Sequence, residues 1–397
     1  MRIIIFDGSL EPPTFVKFLA QNIAWEGHEV YLAGKGKQLF ISCDDTGLNL
    51  LPVSVEGKVN GAFMFLISFF KVLLKNTGKL GFIVKRSFKE RSVSKKLATF
   101  ILYSQIYSVR PDIIHIQWST HVELFRELIQ RGDFKFVVSF RGRMVNISPF
   151  VDEEVAKLYR DMFPKVDGFH AVSNSILKNA SMFGAVKEKA RVVYPAVKDE
   201  LFYGENTGTS FRNEGEPLRM LSVGRQHWKK GYPVAIDACK KLKDRGVDFI
   251  YTIIAGGDKE ELIYNIHDLG LEENIKLIDR LPHAEVLKAY RNAHLFLLPS
   301  YEEGVANVVL EAMTLGTPVI TTNCGGMEEV VVNGKNGWIV PVRDVEAIVD
   351  AVENFMSLTD DKIKKITEAA RETIKRNHLQ SIQTERMIGL YKGVLHQ

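Results

Sequence analysis

The segment HLFLLPSYEEGVANVVLEAMTLGTPVITT, residues 294–322, carries the fold. After His294 it opens on Leu295–Leu298, an unbroken apolar run, and His294–Leu298 reads as a short strand covered on both faces. A polar loop follows, Pro299-Ser300-Tyr301-Glu302-Glu303-Gly304. From about Ala306 the spacing turns helical, and Pro318–Thr321 is a strand again. Strand, loop, helix and strand in that order form the repeating unit of a parallel sheet.

The same alternation extends in both directions. Upstream, Leu218–Val223 is a strand, Tyr232–Arg245 a helix, and Asp248–Ala255 and Asn274–Ile278 are further strands. An earlier series begins at Arg2–Asp7, continues through the helix Thr14–Glu26 and His28–Ala33, and includes Asp112–Ile116, Phe134–Phe140 and Gly168–Val172. A scheme that restarts near residue 218 predicts an α/β chain with two Rossmann-like domains, at 1–197 and 218–375. The polar stretch 198–217, with Gly204, Gly208 and Gly215, reads as the connection. Helices over about Asp360–Lys375 and Leu379–Leu395 close the chain.

The composition fits this picture. With 397 residues, the chain is too long for one ordinary core, and 46% hydrophobic with 25% charged residues is a soluble globular balance. Three widely spaced cysteines argue against a disulfide framework and for a reducing compartment. No secretory signal is visible, and the most apolar run, Phe63–Leu74, is too short to cross a bilayer and contains Lys71. A net charge of +4 conceals an uneven distribution: residues 1–197 hold 27 basic and 18 acidic side chains, the remainder 25 and 30.

In an open parallel sheet, ligands bind beyond the carboxyl ends of the strands, against helix N-termini. Three turns of the second half have suitable residues there. Gly224-Arg225-Gln226-His227-Trp228-Lys229-Lys230-Gly231 joins a glycine to cations that could cradle a diphosphate, or it is a solvated basic loop. Glu303 sits before a helix, where a carboxylate is often only a dipole complement. Glu311 lies inside an otherwise apolar helix, where burying its charge is costly unless a partner holds it. Gly325-Gly326 is expected to bare backbone N–H groups to a phosphate or hydroxyl.

Together these residues resemble glycosyltransferase family 4, retaining enzymes of the GT-B fold that use nucleotide-sugar donors. The resemblance is close over about 218–356 and rests on Glu303 and Glu311, on Gly224, Arg225, Lys230 and Gly231, on Gly325-Gly326 with Glu329, and on Asn333-Gly334-Lys335-Asn336-Gly337. It implies two facing domains, an acceptor-binding first and a donor-binding second, with a C-terminal helix at 376–397 packing back on the first. It also implies that Arg225 and Lys230 bind the donor diphosphate, Glu303 the transferred sugar and Glu311 the ribose. Gly224, Gly304, Val305, Ala306 and Asn307 would line the donor, a UDP- or GDP-sugar, and the backbone around Arg280-Leu281 would face its base. Neither a cofactor nor a metal is implied, and the sequence has no Asp-x-Asp element and no cluster of metal-ligand spacing.

The first half departs from the family. Arg141 stands where the family often has His, and it can bind sugar hydroxyls or charge but cannot act as a base. The first loop, Gly8-Ser9-Leu10-Glu11-Pro12-Pro13-Thr14, has one glycine where several are usual, leaving Gly8 as the acceptor-side candidate. His115 reads as a packing residue. Within 63–96, Phe63, Phe65, Leu66, Ile67, Phe69, Phe70, Leu73 and Leu74 are followed by Lys79, Lys85, Arg86, Lys89, Arg91, Lys95 and Lys96. That order predicts an amphipathic helix on an anionic membrane, hence a cytoplasmic chain peripheral to the inner face of a bacterial cell membrane.

The expected activity is transfer of a sugar to a glycan, lipid-linked and destined for a bacterial polysaccharide, without nucleic acid as a partner. A nucleotide-sugar epimerase of similar architecture and a non-catalytic glycosyltransferase-like subunit stay open. Glycoside hydrolysis is disfavoured, because two carboxylates on one loop and helix do not flank a sugar.

Overall fold

The computed structural model describes residues 1–37, 41–44, 47–55, 58–204, 208 and 210–396. The chain divides into two compact units, one of residues 1–171, 176–193 and 384–397, the other of 172–175 and 194–383.

In the first unit, the described strands are β1 (Arg2–Ser9), β2 (Glu29–Gly36), β3 (Ser42–Cys43), β4 (Asn49–Val55), β5 (Ile113–Ile116), β6 (Lys135–Phe140), β7 (Gly168–Ala171) and β8 (Ala190–Val192). They lie in the order β3-β4-β2-β1-β5-β6-β7-β8, parallel except for the β3–β4 pair. The sequence reading passes over β3, β4 and β8. In β4, Pro52 argues against a strand, and the ladder tolerates it because the register shifts at its partner Gly34. The C-terminal helix Gln380–Leu395 brings Met387, Leu390, Tyr391 and Val394 onto Ile3, Ile5, Ile113 and Val137. Gly168 makes room for it, since a Cβ there would lie 2.4 Å from a Val394 methyl.

The second unit contains β9 (Leu218–Val223), β10 (Phe249–Ile254), β11 (Ile275–Ile278), β12 (Leu295–Leu298), β13 (Val319–Thr322) and β14 (Trp338–Val340). Their order is β11-β10-β9-β12-β13-β14, with every pairing parallel. Both faces are covered. Leu295 and Leu297 of β12 enter one apolar cluster, while Phe296 and Leu298 enter the other. This is why the strand reads as an unbroken apolar run instead of an alternating one. Residues 198–217, read from sequence as a connection, fall in this unit; Asp199–Tyr203 is a helix whose Phe202 is buried, and 205–207 and 209 lie outside the described residues. Among the described residues, no helix is long and apolar enough to cross a membrane.

Candidate functional site

Three loops at the carboxyl ends of β9, β12 and β13 are knitted together in the second unit. Gly231, at φ +66°, lies so close to the β12 loop that a Cβ would come within 2.0 Å of the Pro299 carbonyl. The adjacent backbone bond, Tyr301 N–H to the Lys229 carbonyl at 2.6 Å, seals that contact. On the other side, a Cβ at Gly325 would meet the Glu303 carbonyl at 1.7 Å, and the Gly326 N–H donates to the Gly304 carbonyl at 2.8 Å. The expectation that both glycines bare their N–H groups is therefore corrected. The Gly326 N–H is spent, and the pair is small because two backbones pass each other there.

This knitting sets Lys230 beside Glu303. The Lys230 ammonium donates to Glu303 Oε1 at 2.6 Å, and the Ser300 hydroxyl donates to the same oxygen at 3.1 Å. Both charged side chains are nearly buried, 13% and 11% exposed, so removing either partner would leave an unpaired buried charge. Above it, the helix Asn307–Leu315 begins with no capping side chain and no acidic residue in its first turn. Its first N–H groups and its dipole are available to an anion. Val305 and Ala306 are buried beneath that end, and Asn307 is exposed on it. Arg225 is exposed, and no ion pair ties it down among the described residues. A Cβ at Gly224 would lie 2.8 Å from the Tyr232 hydroxyl and 3.1 Å from the Lys230 stem.

Glu311 lies further along the helix. His283 Nε2 donates to its Oε1 at 3.0 Å, and the Tyr290 hydroxyl donates to its Oε2 at 3.3 Å. The bond to Glu311 raises the pKa of His283. Arg280 is exposed just before this segment, while Leu281 packs into the core.

Residues 207–373 match the family model described as Glycosyl transferases group 1. Over this segment the chain is similar to the group 1 glycosyl transferases. Its similarity to curated proteins has the same focus. The amylovoran biosynthesis glycosyltransferase AmsK of Erwinia amylovora is 32% identical over 256 residues, 62% of this chain and 61% of that protein. WcaL of Salmonella typhimurium, named for colanic acid biosynthesis, is 31% identical over 243 residues, 59% of each chain. The match thus spans about three fifths of the length of these relatives. Solved structures extend the likeness in fold to the full chain. A glycosyltransferase from Rickettsia africae superposes with a TM-score of 0.73 at 20% identity, covering 99% of this chain and 98% of that one. Anabaena HepE in complex with UDP-glucose does so at 0.71 and 13%, covering 99% and 100%. The GT-B architecture expected from the sequence is borne out.

The first unit has its own polar cluster at the ends of β1, β5 and β6. Arg141 donates to Gln117 Oε1 at 3.0 Å, and its guanidinium lies 4.5 Å from the centre of the Phe15 ring. Asp7 accepts from Trp118 Nε1 at 2.8 Å. Burial raises the pKa of Asp7 against the pull of Trp118 and Arg141, and burial pushes Arg141 down to about 10, still charged at neutral pH. Among the described residues, Arg141 makes no salt bridge, and Arg141 Nε, Gln117 Nε2 and His121 Nδ1 have no partner. Gly8, at φ +95°, backs onto the His121 ring, whose Cε1 would sit 2.8 Å from an added Cβ. Sequence reasoning singled out Gly8 and Arg141 but not Asp7, Gln117, Trp118 or His121, because no short motif links them.

His115 is fully buried, as its packing role requires. It belongs to a relay in which the Val193 carbonyl fixes every proton. His170 Nε2 donates to that carbonyl, so its Nδ1 accepts from Ser139; Ser139 then accepts from His115 Nε2, and His115 Nδ1 accepts from Tyr391.

The helix Lys58–Lys75 is amphipathic as expected. Phe65 packs on Phe100 at 4.6 Å between ring centres, whereas Phe63, Leu66, Phe70 and Leu74 are 49–82% exposed. One expectation in this stretch is corrected. Arg86 is buried, bonded to Glu90 at 2.7 Å and close to Glu127, so it is not a surface cation. Lys79 and Lys89 are likewise paired, with Asp133 and Glu127. Lys85, Arg91 and Lys95 are exposed and lack ion pairs among the described residues.

Proposed function

We propose that this chain is a retaining, metal-independent glycosyltransferase that moves a sugar from a nucleotide-sugar donor to a hydroxyl of a glycan in bacterial surface-polysaccharide assembly. The observation that carries the reading is Lys230 beside Glu303 at the junction of three loops, under an uncapped helix end. The diphosphate binds that helix end, between Arg225 and Lys230. Glu303 accepts hydrogen bonds from the sugar, Glu311 holds the ribose, and the backbone at Arg280-Leu281 borders the base. As the glycosidic bond breaks, negative charge grows on the leaving diphosphate, and the two cations and the helix N–H groups stabilise it where it develops. The acceptor hydroxyl attacks from the same face and gives its proton to the leaving diphosphate, so the anomeric configuration is retained. HepE, solved with UDP-glucose, supports a nucleotide-sugar donor, and the names of AmsK and WcaL support a polysaccharide product.

A thermal-shift panel of UDP-, GDP- and ADP-sugars tests this, because a ligand that binds only the folded chain raises its melting temperature. At least one donor stabilises the wild type, and Glu311→Ala removes the shift. A shift that survives in the variant overturns the ribose role, and no shift with any donor overturns the reading as a whole.

The finer reading of the acceptor is a lipid-linked glycan, met at an anionic membrane on the cytoplasmic side. The exposed apolar face of Lys58–Lys75 together with Lys85, Arg91 and Lys95 supports it. Sedimentation with phosphatidylglycerol vesicles should fall at least tenfold when those three cations are replaced by Glu. Equal sedimentation of wild type and variant removes the membrane from the account.

A further inference from the structure

Glu311 is an acid in a helix whose other nearby residues are apolar, and both its oxygens already have donors from a neighbouring helix, His283–Asn292. His283 Nε2 reaches Oε1 at 3.0 Å and the Tyr290 hydroxyl reaches Oε2 at 3.3 Å. The two donors differ in kind. Tyr290 is fully buried, its ring lies 5.3 Å from that of Phe296, and its backbone carbonyl accepts from Thr317. It cannot move without disturbing the core. His283 is the first residue of its helix and its side chain is 60% exposed, so no packing requires a histidine there.

A carboxylate offers about four acceptor positions, and these two donors occupy one on each oxygen. The remaining positions, again one on each oxygen, suit two hydroxyl donors on adjacent carbons. Held at both oxygens, the carboxylate loses its rotamer freedom before a ligand arrives, so that cost is not charged to binding. Without His283, one oxygen is held only by the ligand.

We infer that His283 is a positioning residue, which with Tyr290 fixes the Glu311 carboxylate to receive both hydroxyls of the donor's ribose and so sets the preference for ribose over sugars lacking them. This rests on the reading of Glu311 given above.

The test compares dissociation constants of UDP, GDP and ADP with those of their 2′,3′-dideoxy forms, in wild type, His283→Ala, His283→Gln and Glu311→Ala. For the base that binds, wild type prefers the ribonucleotide. His283→Ala lowers that ratio about tenfold by weakening the ribonucleotide alone, the loss of one hydrogen bond to a charged group. His283→Gln, whose amide N–H reaches about as far as Nε2, restores most of it. A merely structural role for His283 would weaken both nucleotides equally, and that result overturns the inference. An unchanged ratio in His283→Ala with a collapsed one in Glu311→Ala overturns it too, while leaving the ribose role standing. A wild type indifferent to the ribose hydroxyls, or one that binds none of the three nucleotides, overturns both.

Discussion

The two sheets both gather polar residues at strand ends, and they treat charge in opposite ways. In the second unit, the buried charges are paired: Lys230 is held by Glu303, and the carboxylate of Glu311 by His283 and Tyr290. In the first unit, the deepest polar groups are neutral histidines wired into one relay, and the cation beside them, Arg141, has no salt bridge among the described residues. A site that must receive a diphosphate can hold its cation on an internal carboxylate until the ligand takes over. A site for neutral hydroxyls needs donors and acceptors without excess charge, and Arg141 near Asp7 supplies one of each. The difference suits a donor side and an acceptor side.

The largest effect that could break this comparison is at Lys230. Lys230→Ala should lower kcat/KM about a thousandfold, the scale of losing one preorganised group against developing charge. It also leaves the Glu303 carboxylate without its cation, at a cost of about 3 kcal/mol in stability, so activity is to be assayed well below the variant's melting temperature. A loss of less than tenfold with the chain folded would remove Lys230 from the chemistry. Arg141→Ala is the counterpart on the other sheet. We expect a fall of about a hundredfold, confined to acceptor dependence, with the donor-induced thermal shift unchanged. If that shift disappears as well, the division of labour between the sheets is wrong.

The same contrast explains what was legible in the sequence. The residues proposed for the donor side occupy short loops beside their own strands, so Gly224 to Gly231 and Ser300 to Glu311 can be read as local patterns. Their strands are covered on both faces and therefore appear as plain apolar runs. His283 escaped because a histidine at a helix start carries no pattern; only the bond to Glu311, 28 positions away, gives it meaning. In the first unit, partners are further apart still. Tyr391 meets His115 across 276 positions, and Trp118 meets Asp7 across 111. Arg86 misled for a related reason: a basic run does not reveal that Glu127, on another helix, turns one of its members inward.

The smallest of these effects concerns the relay itself and follows from its charge state. Burial and the positive charge of Arg141 push His170 down to about 3, although its bond to the Val193 carbonyl pulls the other way, and His115 is lowered for the same reasons together with its neighbour His170. The unfolded chain takes up a proton near pH 6.5, whereas folded His170 refuses it until about 3. The stability due to neutral His170 is therefore complete above about pH 7 and falls through the window between 6.5 and 3 as the unfolded state binds the proton. Between pH 7.5 and 5 that amounts to about 2 kcal/mol for His170. His170→Gln keeps an acceptor for Ser139 and a donor for Val193 but has nothing to titrate. Urea unfolding of wild type and variant at both pH values should show the loss on acidification smaller by about 2 kcal/mol in the variant. An equal loss in the two proteins would mean that His170 is charged in the fold, and the single proton order of the relay, with the contrast it supports, would fall.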